Sequence, residues 1–517
     1  MGILTKKPKG EKDMNFIIIA LIILTFASRI MGLIREITLA YFYGASAISD
    51  AYFISIAIPT VIVTFIFTSI ASSFVPTYQK LAPDDDHRNI FTNKVIGLAL
   101  LLSLAVLIVS FIFTPRIVPL FTSGFDYQAR NLTIGFTRIT IFAIIFMGMN
   151  QVILSYMQVK EKVLLASLSG LPFNLMAILF IFISVHTEIH LLAVGILLAM
   201  GLQTLFLLFL AHLQGFRLKP RFTLNDSTVR SLIILTMPMI LANAVEQIGV
   251  VVEKNIASTF GAGGVSALVY ASRVIMAVSG IIVTSVLVVT FPKVSKEAAA
   301  GDIKQLKMSL GESIVGMCLF ILPAIAAVAV FAQPIVSVIF GRGAFDYYAV
   351  SMTSRILFFN IFMLLGHGLS QLFTRVFFAL DDSKTPMYVA AITIGVNIAL
   401  NFSLTSLMGI AGIAISASIS AFAGLLALIF LLRKKIGSLK MGQSLNSLKK
   451  VASASAIMAI LAYLAYDALY IFSPVMALFV AALVGVVIYG ILLLLLRIKE
   501  VDYLIVTIVN RLKKRLK

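Results

Sequence analysis

A single cysteine, Cys318, and a charged fraction of only 12% limit what a 517-residue chain can be. One cysteine excludes an intrachain disulfide framework and any CxxC metal site. A soluble domain carries about 25% charged and about 45–50% apolar residues. Here 60% are hydrophobic and the mean hydropathy is +1.05, which excludes a water-soluble enzyme and equally a disordered or fibrous chain. Catalytic patterns are missing as well: there is no Walker A, HExxH or GxSxG sequence, and Gly261-Ala262-Gly263-Gly264 lacks the strand context of a dinucleotide loop. No enzyme is expected. Without a nucleotide site, any transport work draws on ion gradients, the membrane potential or a substrate gradient, one charge crossing 100 mV being worth about 2.3 kcal/mol.

What the chain does have is apolar runs. A membrane span needs about 20 mostly apolar residues, and fourteen such runs lie between residues 15 and 496. Their length and all-round apolar character favour helices over the alternating strands of a barrel, so the expected fold is an all-α polytopic membrane protein. The 41 Lys and Arg outnumber the 22 acids. With the N-terminus placed in the cytoplasm, only Arg116, Arg130 and Arg342 fall in outer loops. Seven more lie in spans, and the rest are cytoplasmic, a positive-inside pattern that puts both termini in the cytoplasm. The net charge of +19 is thus topogenic, with anionic phospholipid as its nearest partner and no nucleic acid. Residues 1–14 form a cytoplasmic tail, and 497–517 a basic amphipathic tail suited to the interface. The first run is too long for a signal peptide and should stay attached.

The chain also resembles itself at an offset of about 217. Tyr43-Gly44-Ala45 and Ser49 match Phe260-Gly261-Ala262 and Ser266, and Glu36 matches Glu253. Phe74-Val75-Pro76 resembles Phe291-Pro292, and Asn174 has a counterpart in Asn397 at a nearby offset. Six spans per repeat give lobes over 15–214 and 228–433, with two further helices over 451–496. An even count gives both halves the same topology, the parallel-repeat arrangement of transporters, with a pseudo-two-fold along the membrane normal and a substrate path between lobes.

Cations inside spans are the candidate ligand groups: Arg29, Arg35, Arg138, Lys254, Arg273, Arg355 and Arg375. Each costs about 2.5–3.5 kcal/mol at a helix centre on insertion scales. Arg375, beside the Asp381-Asp382 turn, is expected to snorkel. Arg29, Arg35 and Arg273 either pair internally, as Arg35 with Glu36 or Asp50, or line a hydrated cavity for an anion. Guanidinium forks suit phosphate and pyrophosphate oxygens. Asn397 and Asn401, spaced i, i+4, could form an oxygen-lined cation site with Asn243 and Glu246; interhelical hydrogen bonding is the other reading and the favoured one. His367 is a lone histidine, read as a core hydrogen-bonding group before a proton relay.

Ser28-Arg29-Ile30-Met31-Gly32-Leu33-Ile34-Arg35-Glu36, Phe42-Tyr43-Gly44-Ala45 and Ser49-Asp50-Ala51-Tyr52-Phe53 resemble the opening of the MurJ/MviN lipid II flippases. So do Tyr270-Ala271-Ser272-Arg273, Gly341-Arg342-Gly343-Ala344-Phe345 and Ala379-Leu380-Asp381-Asp382-Ser383-Lys384-Thr385-Pro386. The resemblance covers about residues 20–430. It implies a member of the multidrug/oligosaccharidyl-lipid/polysaccharide exporter superfamily, with a central cationic cavity and a groove at the last two helices for a polyprenyl tail. It also implies that Arg29, Arg35 and Arg273, with Ser28, bind the diphosphate headgroup, that Glu36 and Asp50 are charge partners or gate residues, and that Asn397 and Asn401 fall where some members bind sodium. The family's usual second-helix arginine is absent after Pro59, and acidic positions near Arg273 are Ser272 and Met276. The expected activity is movement of an undecaprenyl-diphosphate-linked peptidoglycan precursor, lipid II, to the outer leaflet of the bacterial cytoplasmic membrane. No cofactor is expected beyond Na+ or membrane-potential coupling, and cell-wall synthases are expected neighbours. The alternatives are another polyprenyl-linked glycan as cargo, a cation-coupled drug antiporter of the same superfamily, and a scaffold without transport.

Overall fold

The computed structural model describes residues 11–81, 84–222, 226–439 and 442–498. The tails expected over 1–14 and 497–517 fall mostly outside these residues. Every extended element among them is a helix, with no strand. Twelve helices are long and apolar enough to cross a membrane, or thirteen when Tyr127–Thr140 and Ala143–Val159, bent by 50° at their junction, count as one broken span. The expected fourteen is compatible, since Glu11–Tyr43, 33 residues long, precedes them.

Contacts divide the chain into two compact units. The first, residues 1–266 with 343–345, holds α1 (Glu11–Tyr43), α2 (Ala47–Gln79), α3 (Asp85–Ile117), α4 (Tyr127–Thr140), α5 (Ala143–Val159), α6 (Gly170–His186), α7 (Leu191–His212) and α8 (Ser227–Ser258). Its core is aromatic: Phe74 stacks on Phe91 with centroids 5.4 Å apart, and Tyr78 meets Tyr156, which packs on Phe216. Lipid tails are as apolar as these rings, so shape-fitted dispersion rather than water exclusion holds the helices together.

The linker that follows α7 is strapped to the start of α3. Buried Asn93 donates to Arg217 O at 2.8 Å and accepts from Lys219 N at 2.6 Å, while Arg221 N donates to Asn93 O at 3.2 Å. Asp226 then caps α8 and pairs with Lys94. That bond to the Lys94 ammonium holds the Asp226 carboxyl well below the usual carboxylate range.

The second unit, residues 267–342 with 346–517, holds most of α9 (Gly264–Ala299), then α10 (Ile303–Ile339), α11 (Tyr347–Asn360), α12 (Met363–Ala379), α13 (Lys384–Met408), α14 (Ala411–Ile436), α15 (Gly442–Tyr470) and α16 (Pro474–Leu495). Pro334 deprives α10 of a hydrogen bond, and the helix leaves regular geometry at Phe331, φ −105° and ψ 18°. The kink residue is buried: Phe331 turns onto Tyr466 of α15, with Ala477 and Ala481 of α16 completing that cluster. Tyr489 of α16 donates to Leu319 O of α10 at 2.8 Å.

The duplication reads more clearly in three dimensions than in sequence. Asp126 caps α4 through Ala129 N, and Asp346 caps α11 through Ala349 N. Each capped helix runs 14 residues, breaks at an Ile-Phe pair (Ile141-Phe142, Ile361-Phe362), and resumes as a helix of 17.

Candidate functional site

Three places in the structure gather chemistry. The first is the cationic stretch of α1. Arg35 Nη2 donates to Glu36 Oε1 at 2.7 Å, and the guanidinium lies over the Phe173 ring at 5.2 Å. Arg35 Nε, although buried, has no acceptor among the described residues. The pair is internally neutral, so the net charge of this stretch comes from Arg29. Arg29 is exposed near the middle of α1 and has no ion pair among the described residues. Facing hydrocarbon there would cost about 2.5–3.5 kcal/mol, so its stable surroundings are water or an anion. Ser28, next to it, is buried instead: its hydroxyl reaches Ser167 O at 3.5 Å and lies where a side chain on Gly170 would sit. Arg273, in the second unit, is exposed on α9.

The second place lies in the first unit, where α1 and α2, α8 and α9 have their neighbouring ends. Asp50 is fully buried. Its Oδ2 accepts from Gly263 N at 2.7 Å, and its Oδ1 accepts from Ser266 N at 2.7 Å and Ser266 Oγ at 2.6 Å. A helix start leaves backbone N–H groups without partners and carries partial positive charge. Asp50 supplies from α2 the cap that α9 lacks in its own sequence. Ser49 and Ser266, equivalent positions in the two repeats, meet at 3.2 Å. Glycine is required here twice. Gly263 has φ +93° and a Cβ on it would approach Ala45 O to 2.4 Å, while Gly44 has φ +61° and would meet Ala344 O at 2.3 Å. The loop Gly343–Phe345 closes on the end of α1 through Ala344 N to Tyr41 O at 2.8 Å.

The third is a pair of pockets, one per unit. In the first, Thr68, Ala71, Ser72, Val75 and Pro76 of α2 face Gln151 and Ser155 of α5 around a cavity of about 460 Å³. In the second, Thr284, Leu287, Val288, Phe291 and Pro292 of α9 face Gln371 and Arg375 of α12 around about 330 Å³. The two linings correspond position by position, Gln151 with Gln371 and Ser155 with Arg375. Gln151 Nε2 donates to Thr68 Oγ1 at 3.0 Å. Gln371 Nε2 lies 2.8 Å from His367 Nε2, so His367 is hydrogen-bonded along its own helix face and exposed.

Arg375, expected to snorkel beside the Asp381-Asp382 turn, lies with its guanidinium over Phe291 at 5.0 Å, near the end of α12. Asp382 is occupied otherwise, by Lys435 Nζ at 2.8 Å and by Thr385 N and Oγ1. The Lys435 ammonium, helped by those bonds, holds the Asp382 carboxyl down at about 2.

The four residues considered for a cation site fall in different units. In the first, Asn243 donates to Ser69 Oγ at 2.8 Å and Glu246 is exposed. In the second, Asn401 donates to Asn397 Oδ1 and Asn397 to Ser420 Oγ, each at 3.2 Å, while buried Asn401 Oδ1 has no donor among the described residues. Among the described residues no three His, Cys, Asp or Glu side chains gather as a metal site requires.

Sequence reasoning passed over Gly263 and Ser266 as the partners of Asp50, Phe173 under Arg35, and the Gln151/Gln371 pair. The last was accessible, because both glutamines follow the Ile-Phe breaks at the same spacing.

Comparison with known proteins agrees with this fold. A lipid II flippase from Thermotoga maritima, described as probable, is 28% identical over 480 residues, covering 92% of this chain and 96% of its own length. One from Rickettsia prowazekii, likewise described, is 27% identical over 411 residues, 78% of this chain and 81% of that one. A solved lipid II flippase MurJ in an inward closed conformation aligns with a TM-score of 0.78 at 26% identity, over 92% of this chain and 98% of that one. A multidrug MATE transporter of the MOP superfamily, inward-facing, aligns at 0.65 with 15% identity over 81% of this chain and 99% of that one, a likeness of fold. The family described as lipid II flippase MurJ matches residues 39–493, and the chain belongs to that family.

Proposed function

We propose that this protein is a flippase that carries lipid II, an undecaprenyl-diphosphate-linked peptidoglycan precursor, from the cytoplasmic to the outer leaflet by alternating access. The observation that carries the reading is Arg29: a guanidinium near the middle of a 33-residue helix, exposed and without a carboxylate, inside a chain of the lipid II flippase family. A diphosphate is the anion that a guanidinium fork fits best, bidentate and at every physiological pH. Arg35 and Arg273 supply further forks, and Glu36 holds Arg35 in place until an anion displaces it. Asp50 fastens the gate at the outer ends of the helices, and its hydrogen bonds break when that gate opens. The last two helices, α15 and α16, guide the polyprenyl tail. Both termini are cytoplasmic, as the distribution of lysine and arginine requires, and anionic phospholipid neutralises the cytoplasmic loops. Transport is driven by the membrane potential or by Na+, for which Asn243, Glu246, Asn397 and Asn401 are the candidate oxygens.

The test is depletion of the native lipid II flippase in a bacterial host that carries this chain on a plasmid. Rescue by the wild type, but not by Arg29→Ala or Arg273→Ala, is the expected result. Rescue by both variants at normal expression removes the arginines from the mechanism. Failure of an inserted wild-type protein moves the cargo to another polyprenyl-linked glycan.

A further inference from the structure

The paired pockets keep a threonine, a proline and a glutamine at equivalent positions, while Ala71, Ser72 and Val75 of α2 give way to the bulkier Leu287, Val288 and Phe291 of α9, and Ser155 of α5 to Arg375 on α12. Of these changes only the last alters charge, so it is the one that can select a ligand by its charge. Arg375 is half-buried with its guanidinium over the Phe291 ring; it has no carboxylate partner among the described residues, whereas neighbouring Lys293 is neutralised by Glu312 at 2.8 Å. Stacking on an aromatic face orients the guanidinium without using any of its N–H donors. One cation with no second beside it matches a monoanion. A diphosphate, carrying two or more charges, calls for several.

Gln371 adds a second element. Its amide nitrogen is engaged by His367, which leaves the carbonyl oxygen as an acceptor, one helical turn from Arg375. A carboxylate for the guanidinium and an N–H donor for the amide oxygen are what the terminal residue of an acylated peptide presents. About 330 Å³ accommodates one or two such residues. We infer that the pocket between α9 and α12 binds the free carboxyl terminus of a peptide, through Arg375 and Gln371, and that its uncharged counterpart between α2 and α5 does not. This deepens the transport reading by giving the cargo's headgroup a carboxylate-bearing peptide, but binding itself does not depend on flipping.

The experiment is calorimetric titration of the full-length protein in lipid nanodiscs with N-acetyl-alanyl-alanine, with the same peptide as its C-terminal amide, and with inorganic pyrophosphate. The acid should bind about tenfold tighter than the amide, the scale of one charge-assisted pair. Arg375→Gln should make the two peptides equal, and Arg375→Lys should recover only part of the preference, while both variants keep the wild-type melting temperature. Equal binding of acid and amide to the wild type overturns the inference, as does a preference that survives in Arg375→Gln. Pyrophosphate displacing the acid at lower concentration, in an Arg375-dependent way, assigns the pocket to phosphate and overturns it too. Failure of the complementation described above, with the peptide preference intact, rejects the transport reading and leaves this site standing.

Discussion

Asp50 offers the most quantitative test of how the first unit is held. Replacing it with alanine removes three hydrogen bonds to a carboxylate, two from backbone N–H groups at the start of α9 and one from Ser266 Oγ. Hydrogen bonds to charged groups are worth about 1.5–3 kcal/mol each in water-exposed proteins. Polar contacts between membrane helices average only about 0.6 and reach about 1.7 kcal/mol. The smaller scale gives about 2–5 kcal/mol for the three together. As a local opening free energy, that accelerates hydrogen exchange at the Gly263 and Ser266 amides by about 30-fold to about 4,000-fold, since about 1.4 kcal/mol is tenfold. Asp50→Asn keeps an oxygen for Ser266 but can turn its NH2 toward Gly263 N, so about 1–2 kcal/mol is lost. Ser266→Ala removes the hydroxyl's bonds to Asp50 and Ser49, about 1.2 kcal/mol together. Exchange by mass spectrometry over a peptide spanning 260–268 should therefore be fastest in Asp50→Ala, with Asp50→Asn and Ser266→Ala between it and the wild type. A peptide from α6 should stay unchanged in all three. Exchange at 263–266 within twofold of wild type in Asp50→Ala, in a protein that still melts normally, would refute the capping argument.

Three further outcomes follow from the same geometry. Gly263→Ala meets both a positive φ and a backbone oxygen 2.4 Å from its new Cβ, whereas Gly261→Ala at φ +83° meets open space; left-handed strain alone costs about 1–2 kcal/mol, so Gly263→Ala should lower the melting temperature clearly more than Gly261→Ala. Asn93→Ala frees the linker from α3, and brief trypsin treatment should then cut after Arg217, Lys219 or Arg221 at least about fivefold faster, one to two of the lost bonds being about 1 kcal/mol each; unchanged cleavage would show that the strap holds without Asn93. The Asp382–Lys435 pair depends on pH: the carboxyl lies at about 2 when folded against an ordinary 3.8, so its contribution is complete above about pH 4 and disappears as pH falls toward 2. Wild type and Asp382→Asn should differ in thermal stability near neutrality and converge toward the acid end, and a gap that persists at pH 2 contradicts the pairing.

Much of the candidate site was legible because charge in a span is conspicuous. Arg29, Arg35 and Glu36 stand out in a chain with 12% charged residues, and neighbours such as Arg35 and Glu36 can pair with no knowledge of the fold. Asp50 stood out equally, but not what it does. Its partners are backbone amides more than 200 residues away, and an amide carries no sequence signal. The partners of Arg375 and Asp382 were hidden for a related reason: Lys435, far along the chain, pairs with Asp382, and Arg375 stacks on Phe291 of another helix. Ser28, next to Arg29 in a motif, is used for packing against Ser167 and Gly170.

The sequence by itself determined the solvent, the helices and the duplication. Long apolar runs admit no other spanning element than helices in so thin a hydrocarbon layer, because each backbone N–H and C=O must be satisfied within its own segment. The repeat follows from residues that recur in order. Tertiary structure decided which charges neutralise one another, which glycines lie where a Cβ cannot fit, and that of two equivalent pockets one carries a cation where the other has a serine. Those outcomes depend on distances between residues remote in the chain, which local propensity and hydropathy do not encode, and on packed interfaces where a few tenths of an ångström separate a contact from a clash.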